Sequence, residues 1–207
     1  MLMMCMALVT FGWQEPVAPA KPATAQAAMV AFRAAIEKGD VEAFAQLVAG
    51  PPGNLLRTLA PALKKAQVAS DAFSKALAEK PALNVTNPLA NDFNPLRGYL
   101  LELIELVPGK DESLARVRFG PVGRLREETL SVKREGEGFR VSLPSAYLKA
   151  VVPMTAEQVN QQVQRLNALT GVFTTISEQV KKGELTSKEA VLVRLGQLVR
   201  DAKVGEK

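Results

Sequence analysis

The chain has 207 residues, 47% of them hydrophobic, and its formal net charge is +5. It contains no histidine and one cysteine, Cys5. Without histidine, Ser-His-Asp and Cys-His catalytic arrangements and the commonest nitrogen ligand of metal ions are excluded. We therefore expect no metal and no cofactor, and no disulfide in a mature domain that has lost the N-terminal segment.

The N-terminus is an apolar run, MLMMCMALVTFGW, followed directly by a Pro/Ala-rich stretch. Its length suits the apolar region of a signal peptide and is too short to span a bilayer. Ala18-Pro19-Ala20 offers the small-x-small pattern of a cleavage site, although the usual basic residues at the start are missing. We predict that residues 1–20 form a signal peptide and that the mature protein is exported (periplasmic, envelope-associated or secreted). A buried N-terminal strand is the alternative.

Residues 27–49 predict two helices joined by a tight corner. Phe32 and Ile36 recur at the spacing of one apolar helix face. Gly39 suits the left-handed position at the end of the first helix, and Asp40 can then cap the second. We therefore expect a positive φ at Gly39, between two packed helices.

A long Ala-rich helix follows, reaching about Glu79. The Gly-Pro-Pro-Gly run at 50–53 predicts a break before it, so that Asn54 caps the helix. Pro61 is expected to start a new helix or to kink this one. The asparagine-rich segment 82–98 is typical of a loop.

From Tyr99 onward the pattern becomes that of strands, with alternation over 115–119, 129–133 and 139–143. Glu102 and Glu105 are three residues apart, which places them on opposite faces of a regular strand. Between residues 116 and 140 the basic residues are interspersed with acids, and this indicates a solvated sheet face rather than a nucleic-acid partner.

Two capping boxes predict where the C-terminal helices begin, at 155–158 and at 186–189. Gly183 is expected to end the first of these helices, so residues 155–203 predict an antiparallel helical hairpin. The longer helix carries three apolar residues spread over more than one narrow stripe: Val172, Phe173 and Ile176. This wide apolar surface must be buried against the protein's own domain, a second copy of the chain or another protein.

Two segments resemble the nuclear-transport-factor-2-like superfamily of cone-shaped α+β domains. One is FRAAIEKGDVEAF within the first helix pair, and the other is SVKREGEGFRVSLP, which is similar to the last hairpin of many exported members. Over about residues 24–152 the resemblance implies an α+β domain whose N-terminal helices pack on a curved antiparallel sheet. We thus predict a cone-like domain over 21–152 and, appended to it, the helical hairpin over 153–207.

The resemblance also implies a pocket at the wide end of the cone. Catalytic members use a carboxylate with tyrosine donors, or an Asp-His pair that this chain cannot form. The candidate pocket residues of this chain are Asp71, Tyr99, Tyr147, Asn91 and Asp92. For the two residues of the loop, simple turn chemistry is the alternative explanation.

Two functions remain open from the sequence. The first is an exported, non-catalytic binding or scaffolding module whose partner is an unknown protein or a small apolar ligand, with a second copy of the chain as a further candidate. The second is an isomerase- or cyclase-like enzyme that uses a carboxylate and a tyrosine. A carboxyl and a phenol within hydrogen-bond reach, facing a cavity of about 300 Å³ or more, would favour the enzyme.

Overall fold

The structure is a computed structural model that describes residues 22–90, 93–144 and 154–203. Within these residues the protein is α+β, as predicted, with five α-helices and one open four-stranded antiparallel sheet of order β1-β2-β3-β4. The helices are α1 (Ala25–Lys38), α2 (Val41–Leu47), α3 (Gly50–Ala78), α4 (Ala156–Lys182) and α5 (Lys188–Lys203). The strands are β1 (Tyr99–Val107), β2 (Glu112–Pro121), β3 (Arg126–Glu135) and β4 (Gly138–Ser142).

The corner between α1 and α2 forms as the sequence predicts. Thr24 caps α1, accepting a hydrogen bond from the Ala27 amide at 3.1 Å. Gly39 ends the helix with a φ of 62°, which confirms the left-handed position. Asp40 then caps α2 through the Ala43 amide at 3.2 Å.

The long helix α3 begins at Gly50, so the predicted break at 50–53 and the predicted cap at Asn54 are wrong. Pro51 and Pro52 lie in the first turn, where the backbone N–H groups have no partner within the helix and their loss costs little. Pro61 lies inside the same continuous helix.

The sheet buries one face and exposes the other, because side chains alternate along each strand. On the inner face, cross-strand pairs such as Ala115↔Leu130 and Val132↔Val141 join the core. The outer face carries exposed ion pairs, as expected for a solvated face, including Lys133–Glu112 at 3.7 Å.

A β-bulge in β1 corrects the prediction for Glu102 and Glu105. The register with β2 shifts between Leu103 and Glu105, and this places both carboxylates opposite outer-face arginines. Glu102 lies 3.9 Å from Arg118, and Glu105 lies 3.4 Å from Arg116. Because of the extra residue, the two acids share one exposed face.

Two hydrophobic clusters stabilise the fold. The sheet core joins α1, α2 and the start of α3 to the inner face of the sheet, and its residues include Phe32, Ile36, Phe44, Val117, Leu130, Val132 and Val141. The helical core joins the second half of α3 to α4 and α5, and its residues include Phe73, Leu77, Phe93, Phe173, Ile176, Val180, Val191 and Leu195. The helix α3 contributes to both cores, which makes it the shared structural element.

The two C-terminal helices begin at side-chain caps. Thr155 and Gln158 form the predicted capping box, with hydrogen bonds of 3.2 and 2.8 Å. At the start of α5 the cap is Ser187, which accepts from the Ala190 amide at 3.2 Å. The predicted box from Thr186 to Glu189 is therefore wrong, because the cap lies one residue later and an alanine at the third helical position cannot bond back to it. Among the helices that the structure describes, none combines the length and apolar character needed to cross a membrane.

Candidate functional site

The loop between α3 and β1 is fixed to α3 by one buried asparagine. Asn87 is 8% exposed, and its Nδ2 donates to the Ser70 carbonyl at 3.1 Å, to Ser70 Oγ at 2.8 Å and to Ser74 Oγ at 3.1 Å. Its Oδ1 accepts from the Leu89 amide at 3.0 Å. The amide group of Asn87 therefore replaces bonds to water and holds the loop in place.

Further along, the same loop contacts both cores. The ring of Phe93 packs edge-on against Phe173 of α4, with centroids 5.4 Å apart. Asn94 donates from Nδ2 to the Gly39 carbonyl at 3.4 Å and accepts from the Leu96 amide at 3.1 Å. The loop thus ties the end of α1 to the helical core.

A cleft of about 440 Å³ lies beside the sheet core, within the size range of small-molecule sites. Its walls are the end of α1, the middle of α3, the loop, the start of β1 and the turn after β2. The lining residues are Ile36, Glu37, Lys38, Gly39, Gln67, Asp71, Ala90, Asn94, Leu96, Arg97, Gly98, Tyr99, Leu100 and Val122.

The structure brings two of the five candidate pocket residues together, because Asp71 and Tyr99 line this same cleft. Among the described residues, no hydrogen bond links the carboxylate of Asp71 to the phenol of Tyr99. Asn91 and Asp92 fall between the lining residues Ala90 and Asn94, but they and Tyr147 lie outside the described residues. A carboxylate and a phenol therefore share the site without being paired.

The polar groups of the cleft are divided between its walls. Gln67 and Asp71, one turn apart on α3, share a helix face and offer acceptor oxygens. Gln67 Oε1 is buried and has no hydrogen-bond partner among the described residues. Lys38 and Arg97, on α1 and the loop, offer cationic donors. The cleft can therefore bind both a hydrogen-bond donor and an anion.

Sequence reasoning missed three of these residues, namely Lys38, Gln67 and Arg97. The four-residue spacing of Gln67 and Asp71 was a usable signal for a shared face of α3. No local pattern places Lys38 and Arg97 in the lining of one cleft, since their common location depends on the contact between Asn94 and Gly39 across 55 residues of chain.

The three apolar residues considered for a partner surface are buried inside the protein. Val172, Phe173 and Ile176 are 5%, 0% and 0% exposed. Phe173 packs against Phe73 of α3, with ring centroids 6.0 Å apart. The chain itself therefore covers the wide apolar face of α4.

A charged cluster elsewhere has a structural role. Glu135, in β3, accepts from the Gly50 amide and from Arg140, each at 2.8 Å. Burial raises the pKa of Glu135, but the Gly50 hydrogen bond and the Arg140 guanidinium outweigh it and hold the pKa below its ordinary value. These bonds fix the β3–β4 hairpin to the start of α3.

Across the described residues, no group of three or more acidic, histidine or cysteine side chains is arranged to hold a metal ion. Comparison with known proteins gives no homologous site either: no family model, no curated protein and no solved structure matches the chain. The chemistry of the cleft has to be inferred from its own residues.

Proposed function

We propose that the protein is an exported, non-catalytic binding domain whose ligand site is the cleft lined by α1, α3, the loop and the start of β1. The observation that carries the proposal is a cleft of about 440 Å³ whose lining includes Gln67, Asp71, Lys38 and Tyr99, none of them hydrogen-bonded or ion-paired through its side chain to the described residues. Polar groups that have no internal partner favour a polar ligand over the small apolar one expected from the sequence.

A cone-like architecture is part of the same proposal. The order of the elements supports it, since three helices precede four antiparallel strands. Five residues separate α4 from α5, and both helices contribute to the helical core, which supports a helical hairpin appended to the cone-like domain. Export is supported by the apolar run and the small-x-small pattern within residues 1–20.

An isomerase- or cyclase-like enzyme is the second candidate, and one observation favours it. Asp71 and Tyr99, the carboxylate and phenol that such chemistry needs, line one cleft. Their lack of a mutual hydrogen bond is the reason for ranking binding first. If turnover of any enolisable ketone were lost in both Asp71→Asn and Tyr99→Phe while ligand binding persisted, the enzyme would replace the binding domain.

The cleft is tested by blocking it with a bulky side chain. Val122 lines the cleft and is 65% exposed, so Val122→Trp fills the cleft without entering a core. Val193 on α5 is 58% exposed and outside the cleft, which makes Val193→Trp the matched control.

In a fragment screen by ligand-observed NMR, the wild type and Val193→Trp are expected to bind the same compounds, and Val122→Trp is expected to lose them. If Val122→Trp retains full binding, the cleft is not the site. If no fragment binds the wild type, the proposed function fails as a whole.

A further inference from the structure

The cationic side chains of the cleft outnumber its free acid. Glu37 is already paired with Arg33 on α1, at 2.6 Å. Asp71 therefore remains as the one carboxylate of the described lining without an ion-pair partner, beside the two cations Lys38 and Arg97. The Arg97 guanidinium donates only to the Ala90 carbonyl, at 3.5 Å, within the described part of the chain. This imbalance favours a ligand with one negative charge.

Both cations line the cleft from neighbouring elements. Lys38 precedes Gly39, whose carbonyl accepts from Asn94. Arg97 belongs to the turn that starts at Asn94, since its amide donates to the Asn94 carbonyl at 3.1 Å. An ammonium and a guanidinium on adjacent elements suit a carboxylate, which accepts charge-assisted hydrogen bonds from both.

The part of the lining that α3 contributes has the complementary polarity. Asp71 accepts hydrogen bonds when ionised, and Gln67 Oε1 is buried without a partner. A buried acceptor that stays unsatisfied destabilises the folded state, so a ligand donor that reaches it removes that cost. A hydroxyl or ammonium group on the ligand supplies this donor.

The lining also includes apolar side chains. Ile36 and Leu96 belong to the sheet core and are only 1% and 5% exposed. The half-buried ring of Tyr99 packs on Phe119 with centroids 5.6 Å apart, and Val122, 65% exposed, adds apolar surface. Tyr99 and Val122 can therefore contact the hydrocarbon part of a small ligand.

We propose that the cleft binds a small organic carboxylate that also carries a hydroxyl or ammonium group and an apolar side chain. The carboxylate lies against Lys38 and Arg97, and the donor group lies against Asp71 and Gln67. This inference rests on the proposed function, since it names the chemical class of that ligand.

The test uses the full chain and four probes: phenyllactate, 2-hydroxyisocaproate, phenylalanine and leucine, each beside its methyl ester. Binding is followed by the amide chemical shifts of the protein. At least one acid is expected to bind saturably, with its ester at least tenfold weaker. Lys38→Gln and Arg97→Gln are each expected to weaken the acid about tenfold, because one charge-assisted hydrogen bond is lost.

The matched control is Lys110→Gln, in the turn at the other end of β1, which is expected to leave the affinity unchanged. The same amide spectra show whether each variant is folded. If no acid binds, or if acid and ester bind equally, the carboxylate inference is overturned. If fragments bind the wild type and Val122→Trp abolishes their binding, the proposed function holds even though the carboxylate inference has failed.

Discussion

The sheet core and the helical core are built by different means. The sheet core depends on strand alternation and cross-strand pairs, so one face of each strand supplies its apolar residues. The helical core depends on three helices and one loop residue, Phe93, which reaches in from outside them. The cleft is lined by the end of α1, the middle of α3, the loop and the sheet, so elements far apart in the chain form it together. The proposed binding site therefore depends on tertiary packing and not on one local element.

The largest expected effects come from removing one ring from each core. Phe173→Ala and Phe32→Ala each delete a fully buried ring and should lower the free energy of unfolding by about 3–5 kcal/mol. Because α3 runs without interruption through both cores, each variant should weaken amide protection in both. Native-state hydrogen exchange measures the protection of the amides in each core. Loss of protection confined to the mutated core would show that the two cores unfold independently.

The start of α3 offers a steric test of the sheet core. A Cβ on Gly53 would lie 2.1 Å from the Val48 carbonyl oxygen, so Gly53→Ala forces backbone to move and should cost about 1–3 kcal/mol. The control is Gly171→Ala in α4, where a Cβ meets nothing within 4 Å and alanine should stabilise the helix by about 0.5–1 kcal/mol. Urea denaturation gives the midpoint of unfolding for each of the two variants. Equal midpoints would mean that the contact at Gly53 is misplaced.

Gly39 links the end of α1 to the loop that borders the cleft. At a φ of 62°, Gly39→Ala should cost about 1–2 kcal/mol, and its Cβ would lie 2.5 Å from Asn94 Nδ2. Gly183→Ala has a similar φ of 75° but open space around its Cβ, so it isolates the dihedral cost. Thermal unfolding should show the larger loss for Gly39→Ala, together with shifted Arg97 and Leu96 amides. Identical losses of stability in the two variants would mean that the contact with Asn94 adds nothing to the cost of Gly39→Ala.

The smallest expected effect concerns Glu135, and it depends on pH. The pKa of its carboxyl is held below the ordinary 4.5, so the ionised group stabilises the folded state above that pH. This stabilisation is lost as the pH falls through the lowered pKa. Glu135→Gln should cost up to about 1 kcal/mol at neutral pH, and the difference from wild type should vanish in acid. Glu137 is exposed in the same hairpin, so Glu137→Gln should be as stable as the wild type at every pH. If Glu135→Gln is less stable than the wild type by the same amount at every pH, the ionisation of Glu135 is not the cause.

Local chemistry made much of the fold predictable from the sequence. Caps at Thr24, Asp40 and Thr155 mark where helices begin, and alternation locates the strands. The errors arose where tertiary context decided the outcome. Two prolines fit the first turn of α3 instead of preceding it, and a bulge in β1 turned Glu105 to the face of Glu102.

The cleft was predictable only in part. Asp71 and Tyr99 could be named as pocket candidates from the family resemblance. The cations could not be grouped with them, because Lys38 and Arg97 line the same cleft only through tertiary contacts such as that between Asn94 of the loop and the carbonyl of Gly39. Such contacts follow from how two cores dock, which no short sequence pattern records.

The location of the proposed binding site is measured most directly by an amide chemical-shift map of the full chain saturated with any small ligand that it binds. We expect the perturbed amides to cluster at the end of α1, around Gln67 and Asp71, at Arg97–Leu100 and at Val122. Perturbations centred instead on the outer face of the sheet, or on exposed Leu192 and Val193 of α5, would contradict this location.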